Sequence, residues 1–317
     1  MNLKESNLLT EIAIAYYEHE LTQEDIARKF NISRIKVGRL LKKARQEGVV
    51  EINVKYHPVF TSQLEQRLIE VFGIQRALIA IDEHNEKEQR KQVASLVSSY
   101  LSNILKDGMT VAVGQGRNVA AIGEYVGIPS EKKCKFICGI GGVQHIGDPV
   151  DADNICRNLA NKFNGMNETL YAPAYLENKD FRDIFMSNGV IKETLDRARK
   201  ADIALVGIGD MNEDSYMVRL GWFTAKEVTE AKRNLGVVGD IAGYGFFNIQ
   251  GEPVDTVMNN RVIGLSLEDL KAIPCVIGIA SENTKAMAIL GALRTGIIDV
   301  IATSASNINI ILNLAKE

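Results

Sequence analysis

From residue 76 onward, short apolar runs alternate with amphipathic segments, and this alternation restricts the fold more than any other feature. The amphipathic segments include 86–106 and 283–295. The apolar runs that we predict to be strands are RALIAI, TVAVG, CKFICGI, ETLYAPA, IALVGIG, GYGFFNI, CVIGIA and VIATS. Apolar strands that alternate with helices predict a mostly parallel sheet covered on both faces. We therefore expect an α/β, Rossmann-like domain with ligands beyond the carboxyl ends of its strands.

Length and composition indicate an ordinary globular protein. The chain has 317 residues, of which 46% are hydrophobic and 24% charged, which suits roughly two domains of about 150 residues each. No run of about eighteen apolar residues occurs, and the N-terminus MNLKESNLLT lacks the basic and apolar layout of a signal peptide. We expect a cytoplasmic protein that does not contact a membrane.

The first 56 residues have the pattern of three helices. In LLTEIAIAYYEHE, apolar residues recur at three- and four-residue steps. Thr22 and Asp25 have the spacing of a capping box at the start of QEDIARKF. Ser33 can cap a third helix that runs to about Glu47, where Gly48 can end it.

The short turn between the second and third helices predicts a helix-turn-helix. After Gly48 the segment VVEINVKY alternates apolar and polar residues, which indicates a strand or wing beside the third helix. The proline in His57-Pro58 would break that strand. We therefore expect a winged helix-turn-helix domain at 1–56 and a second domain at 57–317.

The third helix concentrates positive charge in a chain whose net charge is -3. Residues 28–45 contain eight Lys or Arg residues and no Asp or Glu. A solvated helix usually interleaves charges of both signs, whereas a helix that binds a polyanion does not. We predict that this helix enters the major groove of double-stranded DNA, against the alternative of a merely basic helix. The DNA-binding candidates are Gln23, Ser33, Arg34, Lys36, Arg39, Lys42 and Lys43.

A glycine-rich segment follows the strand TVAVG and suggests an anion site. Gly114, Gln115, Gly116, Arg117 and Asn118 precede the predicted helix VAAIGEYV, so free N–H groups, close backbone approach and one cation coincide. The alternative is an ordinary turn. A dinucleotide fingerprint is excluded because Val119 stands where its third glycine is needed, and a Walker loop is excluded because GK[ST] is missing.

Other strand ends could complete the same pocket. Gly141 follows CKFICGI, Gly209 ends IALVGIG, and Asp240 precedes GYGFF. Asp240 could accept hydrogen bonds from sugar hydroxyls, and Lys285, in SENTKAMAI, could meet a phosphate. Taken singly, a turn aspartate and a surface lysine are the alternatives, but their joint occurrence at strand ends favours a ligand site.

The cysteines and histidines do not suggest a metal site. The four cysteines include no CxxC pair, and the four histidines are scattered. Cys134 and Cys138 alternate within CKFICGI as buried strand residues do. We expect structural thiols and no cofactor.

The N-terminal motif resembles the helix-turn-helix of the SorC family of sugar-responsive bacterial transcription regulators. LTQEDIARKFNISRIKVGRLLKKARQEGVVEI matches that pattern at residues that include Gln23, Ile26, Ser33, Arg34 and Arg39. Gly38 departs from it, because the family usually has serine there. A helix also loses about 1 kcal/mol at glycine relative to alanine.

The same resemblance covers nearly the whole chain. DIALVGIG, LGVVGDI and GIASENTKAMAILGALRTGII are similar to the effector domain of SorC regulators. In that family the domain resembles sugar-phosphate isomerases, binds a sugar or sugar phosphate, and forms homotetramers. The resemblance implies that 114–118 hold an effector phosphate, that Asp240 and Lys285 bind its other end, and that the protein is a homo-oligomer, a dimer or a tetramer.

Departures from the family pattern narrow the ligand. Ile140 replaces an arginine that some relatives place before the double glycine, which argues against a doubly phosphorylated ligand. No lysine lies between Gly139 and Asn161, so an imine cannot form there. Asp151 and Asp153 could read hydroxyls, although capping the helix NICRNLANKF is the favoured role.

The predicted function is therefore a DNA-binding transcriptional regulator of a carbohydrate operon, controlled by a sugar or sugar-phosphate effector. One alternative is a sugar-phosphate isomerase or deaminase with an accessory DNA-binding domain. It would need an acid/base pair, and His145 is the only histidine near the glycine-rich segments. Another is a constitutive architectural DNA binder with a vestigial sensor domain.

The segment FTSQLEQRLIEVFG predicts a helix that leads into the first strand of the second domain. Leu64, Leu68 and either Val71 or Phe72 share one face of it. That face could pair with a second subunit or pack on its own domain, and the sequence favours neither.

Overall fold

In the computed structural model, the chain divides into two compact units, Met1–Tyr56 and His57–Glu317. The structure describes residues 3–46, 49–50, 58–126, 132–143 and 150–315. No helix in those ranges is long and apolar enough to cross a lipid bilayer.

The first unit contains the helices α1 (Leu3–Tyr17), α2 (Gln23–Lys29) and α3 (Arg34–Gln46). They enclose a small core in which Ile12, Ile26, Val37 and Ala44 are fully buried. The Thr22 hydroxyl accepts a hydrogen bond from the Asp25 N–H at 3.2 Å, so α2 begins as predicted. The Asp25 carboxylate accepts from the Thr22 hydroxyl rather than from its backbone, so only half of the predicted capping box forms.

Two predictions for this unit lie outside the described residues. Residues 51–57 hold most of the predicted wing and His57, and Gly48 is the predicted end of the third helix. The observed three-helix arrangement therefore rests on α1, α2 and α3 alone.

The second unit is built on one central sheet. Its described residues form the strands β1 (Arg76–Ala80), β2 (Thr110–Val113), β3 (Lys135–Cys138), β4 (Met166–Glu168), β5 (Ile203–Asp210), β6 (Val237–Ile241), β7 (Gly245–Asn248), β8 (Val276–Ala280) and β9 (Val300–Ser304). The main sheet has the order β1-β9-β8-β5-β2-β3-β4, and all of its pairings are parallel. This confirms the predicted, mostly parallel α/β fold.

Helices alternate with the strands of the second unit. They are α4 (Pro58–Phe72), α5 (Glu86–Ile104), α6 (Arg117–Ala120), α7 (Ala152–Phe163), α8 (Lys179–Ser187), α9 (Gly189–Ala198), α10 (Tyr216–Arg219), α11 (Ala225–Asn234), α12 (Leu267–Lys271), α13 (Ala286–Arg294) and α14 (Ala305–Leu314). In α4, Leu64 and Leu68 are buried in the core of their own unit, whereas Val71 is 53% exposed.

An antiparallel extension departs from the predicted pattern. The second half of β5 pairs with β6, and β6 pairs with β7, both antiparallel. We predicted only GYGFFNI in this region as a strand and missed β6. Gly239 and Asp240 interrupt the apolar run of β6, so its sequence lacks an ordinary strand pattern.

Two predicted elements are shorter than expected or shifted. The predicted strand ETLYAPA is wrong beyond its first residue, because β4 ends at Glu168 and the chain continues through single bridges at Pro173 and Tyr175. The predicted helix VAAIGEYV begins two residues earlier, as α6. It has only four α-helical residues before a 3₁₀ turn at Ala121–Glu124.

The cysteines lie in the core, as predicted. Cys134, Cys138 and Cys156 are buried, and the sulfur atoms of Cys138 and Cys156 are 3.7 Å apart. Burial raises the pKa of the Cys156 thiol well above its usual value, so this group is protonated and inert at neutral pH.

Candidate functional site

A hydrogen-bonded cap fixes the start of α3. The Ser33 hydroxyl accepts a hydrogen bond from the Lys36 N–H at 3.2 Å, as the sequence predicted. The buried face of the helix consists of Val37, Leu40, Leu41 and Ala44. The orientation of the opposite face is therefore set by the core beneath it.

That opposite face is positively charged and exposed. Ser33, Arg34, Lys36, Arg39 and Lys42 are exposed. Among the residues that the structure describes, none of these four cations has an acidic partner within 4 Å. Such charges repel one another and destabilise the helix. An anion bound across them offsets this repulsion.

The two remaining DNA-binding candidates, Gln23 and Lys43, are half-buried. Gln23 lies at the start of α2, over Gly38 of α3. A methyl group at Gly38 would lie 3.6 Å from the Gln23 Oε1 atom, which is an ordinary contact. Steric crowding therefore does not explain why this chain has glycine at position 38, where the family usually has serine.

A cleft of the second unit lies at the carboxyl ends of β2, β5 and β8, which are neighbours in the sheet. It has a volume of about 230 Å³. After β2 the chain builds the sheet outward to β4, and after β5 it builds in the other direction to β9. The cleft thus occupies a topological switch point, where ligands bind in open α/β sheets.

Most of the predicted effector-binding residues line this cleft, namely Gln115, Gly116, Arg117, Asn118, Gly209, Asp240 and Lys285. They come from the segments after β2 and β8 and from β5 and β6, so the fold brings together residues that are far apart in the sequence.

The other three candidates lie elsewhere. The Gly114 N–H donates to the Leu205 carbonyl at 2.8 Å and belongs to the strand ladder. A Cβ atom at Gly141 would lie 2.6 Å from the Ala172 carbonyl oxygen, so glycine is needed there for packing. Asp151 accepts hydrogen bonds from the N–H groups of Val143 and Asp153. It thus caps α7, which is the role that the sequence analysis favoured for it.

Asp240 is a buried carboxyl group at one side of the cleft, 8% exposed. Its Oδ1 atom accepts a hydrogen bond from the Gly243 N–H at 2.7 Å. Gly209 lies directly against its carboxylate and has no room for a side chain. Burial raises the pKa of Asp240 to about 6, although the attraction of Lys285 acts in the opposite direction.

Glu282 lies at the centre of the cations of the cleft, and we did not predict it from the sequence. Its Oε2 atom accepts from the Lys285 ammonium group at 3.0 Å and from the Asn118 amide at 3.1 Å. Two guanidinium groups approach its Oε1 atom, at 3.7 Å from Arg117 and 3.9 Å from Arg90. One carboxylate thus partly neutralises three cations.

The environment keeps Glu282 ionised. Burial opposes its negative charge, but Lys285 and the hydrogen bond from Asn118 outweigh it and lower the pKa of Glu282 to about 2. Glu282 follows the end of β8 and precedes Lys285 by three residues. The expectation that ligands bind beyond the carboxyl ends of parallel strands, applied to β8, was the signal that could have found Glu282.

The segment around Gly116 is more restricted than the predicted anion cradle. Asn118 is 8% exposed, and its amide already binds Glu282 and Ser281. The helix that follows is four residues long, so its dipole is small. Arg117, whose side chain is 46% exposed, is the part of the segment that remains open to a ligand.

Gln115 offers a second polar contact. It is 3% exposed, and its Oε1 atom is buried without a hydrogen-bond donor among the described residues. A hydroxyl group of a ligand would satisfy this acceptor. In the described part of the chain, no group of three His, Cys, Asp or Glu side chains is arranged to hold a metal ion.

Comparison with known proteins identifies the family. A family model described as "Putative sugar-binding domain" matches residues 56–313. The transcriptional regulator LsrR of Enterobacter sp. (strain 638) is 29% identical over 319 residues, which are 99% of this chain and 95% of that protein. The full-length sorbitol operon regulator SorC from Klebsiella pneumoniae superposes with a TM-score of 0.74 at 27% identity, covering 96% of this chain and 98% of that one. The chain belongs to the SorC family of sugar-binding transcriptional regulators.

A more similar structure covers the second unit. The "Putative Sugar-Binding Domain of Transcriptional Repressor" from Vibrio fischeri is 55% identical, with a TM-score of 0.77. The match covers 81% of this chain and all of that one, 100%. These comparisons confirm the predicted family, the fold class and the assignment to sugar-dependent transcriptional regulation.

Proposed function

We propose that the exposed face of α3 binds operator DNA and that a sugar or sugar phosphate in the cleft controls this binding. The observation that carries the first half is the exposed set of cations on α3, which has no acidic partner among the described residues. Arg34, Lys36 and Arg39 lie in its first two turns, where a recognition helix meets base edges and phosphates.

The cleft supports a ligand that has both hydroxyl groups and an anionic end. Asp240 and Gln115 supply buried acceptors for hydroxyl groups. Arg117 and Lys285 supply cations, and immediately around Glu282 they and Arg90 exceed its single negative charge. The wider lining of the cleft also holds the carboxylates of Glu86, Asp210 and Asp214. We infer that the phosphate or other anionic group of the effector approaches Arg117, and that its hydroxyl groups face Asp240.

An effector regulates only if it binds two states of the protein with different affinities. The network around Glu282 joins α5, α6 and the loop before α13, so an anion that displaces Arg117 from Glu282 changes contacts among three elements. We propose that this rearrangement alters the arrangement of subunits in a homo-oligomer, and with it the spacing of paired α3 helices.

A second candidate function, sugar-phosphate isomerisation or deamination, has one observation in its favour. Asp240 is a buried carboxyl group whose pKa of about 6 would suit a general acid or base at neutral pH. The family relatives named above are regulators, and we propose that Asp240 binds a hydroxyl group without turnover.

Three measurements test these proposals. A thermal shift with a panel of sugars and sugar phosphates, assayed in parallel for product, separates a sensor from an enzyme. Stabilisation without product supports the sensor, whereas turnover would replace it with the enzyme.

Operator binding by full-length Arg39→Ala and Arg34→Ala proteins tests the DNA site. We expect each loss to weaken binding by about 1 to 3 kcal/mol if the side chain reads a base. Unchanged operator binding in both variants would exclude α3 as the helix that reads the operator sequence.

Arg117→Ala should abolish the effector response and leave effector-free DNA binding intact. A normal effector response in this variant would remove Arg117 from the effector site.

A further inference from the structure

An exposed isoleucine interrupts the cationic face of α3. Ile35 is 71% exposed, whereas Val37, Leu40 and Leu41 of the same helix are buried. Single exposed apolar residues are common on protein surfaces. The position of Ile35 is what distinguishes it.

Ile35 lies opposite the buried face of α3. At 100° per residue, its side chain points away from the centre of the stripe formed by Val37, Leu40, Leu41 and Ala44. Arg39 and Lys42, four and seven residues later, share its direction. The most outward line of α3 therefore consists of one β-branched apolar side chain followed by two cations.

This line begins in the first turn of the helix. α3 starts at Arg34, and its N-terminus is fixed by the hydrogen bond from the Lys36 N–H to the Ser33 hydroxyl. In a helix that enters the major groove, residues of the first turns contact base edges. Ile35 is then the α3 side chain that reaches deepest into the groove.

The base edges of the major groove carry one apolar group, the 5-methyl group of thymine. Arginine and lysine bind phosphates or guanine, and neither senses that methyl group. We propose that Ile35 contacts the 5-methyl group of a thymine in each operator half-site and so sets a requirement for thymine there. This inference rests on the proposed binding of DNA by α3.

The test compares thymine with deoxyuridine, which lacks only the methyl group. The binding site of the full-length protein is first mapped by footprinting on DNA upstream of its own gene. Each thymine is then replaced by deoxyuridine, in symmetric pairs. Wild-type protein should lose about fifteenfold in affinity at one pair, since burial of each of the two methyl groups contributes about fourfold.

Ile35→Ala should bind the thymine operator more weakly and should not distinguish thymine from deoxyuridine at that pair. Two controls should keep the wild-type ratio. Ile14→Ala removes another exposed apolar side chain of the same unit, 37% exposed, and Lys42→Gln removes a neighbouring cation.

Three results would overturn the proposal. Full retention of the thymine preference in Ile35→Ala would show that another residue reads the methyl group. The second is an unchanged affinity of wild-type protein at every substituted pair. The third is a change in the oligomeric state or thermal stability of DNA-free Ile35→Ala, which would show that Ile35 packs on protein. Failure of wild-type protein to bind any duplex in a salt-sensitive manner is distinct, because it would remove the proposed DNA binding itself.

Discussion

The cations of α3 and the cations around Glu282 are arranged in opposite ways. On α3, Arg39 and Lys42 are exposed and have no acidic partner among the described residues. In the cleft, Lys285 and Arg90 are largely buried around one carboxylate, with side chains 12% and 18% exposed. The first set leaves its charge for a large polyanion, and the second set is partly neutralised by a carboxylate inside the protein.

This difference in burial fits the two ligands proposed above, which are DNA at α3 and a small anionic effector in the cleft. Exposed charges gain little from partners within the protein and are screened by salt, so they bind best to a polymer of phosphates. Buried charges need a fixed partner, because desolvation is costly. The free energy of unfolding should therefore respond strongly to changes around Glu282 and weakly to changes on α3.

The largest effect is expected for Glu282→Gln. This change leaves Lys285 and Arg90 buried without their counter-ion and should lower the free energy of unfolding by about 3 to 5 kcal/mol. Urea unfolding followed by fluorescence of Trp222, the only tryptophan, measures it. Glu230→Gln is the control, because the Glu230–Lys226 pair is exposed and should cost less than about 0.5 kcal/mol. Equal effects would contradict the comparison.

The second effect concerns pH and Asp240. Its pKa of about 6 in the folded protein exceeds the ordinary 3.8, so the folded state binds more protons between these values. Stability should therefore fall as pH rises from about 4 to 6, by up to about 3 kcal/mol from this group. Glu282 has the opposite sign, but its range lies lower, between about 2 and 4.5.

Comparison of wild type with Asp240→Asn isolates this contribution. The difference in unfolding free energy between pH 4.5 and 6.5 should be smaller in Asp240→Asn, measured again by Trp222 fluorescence. If both proteins show the same pH profile, Asp240 does not carry a raised pKa.

A smaller effect is expected at Gly38 of α3. Gly38→Ala should stabilise the helix by about 1 kcal/mol, because the new methyl group makes only an ordinary contact with Gln23. Amide hydrogen exchange of residues 34–46 measures this gain. Gly73→Ala is the control in the second unit. Gly73 has a φ of 69°, so alanine there is strained and should destabilise the protein.

The smallest effect on stability is expected for Lys42→Gln. Because Lys42 is exposed, the unfolding free energy should change by less than about 0.5 kcal/mol. DNA affinity should depend less steeply on salt, with the slope reduced by about one if Lys42 meets a phosphate. A large loss of stability would show that Lys42 has a structural role.

Local signals predicted the first unit well. Thr22 and Ser33 cap α2 and α3 because their hydroxyl groups bind N–H groups only three residues away. Ile26 and Val37 are buried, as the helical period indicated. The same kind of signal predicted that Asp151 caps α7.

Features that depend on distant residues were predicted less well. Strand β6 was missed because its antiparallel partners β5 and β7, and not its own composition, stabilise it. The bond between Asn118 and Glu282 joins residues 164 positions apart, so no spacing in the sequence reveals it. Gly141 has the appearance of a ligand-binding glycine but is required by the backbone at Ala172.

The sequence alone determined the alternation of helices with the strands of the main sheet, the segregation of charge on α3 and the family. Residue type and local periodicity carry all three. Only the tertiary structure decided which charged groups meet. The interaction of Arg90, Arg117 and Lys285 with Glu282 depends on distances between strand ends. Those distances are set by the parallel pairing of β2, β5 and β8, because buried charges are governed by neighbours in space and not along the chain.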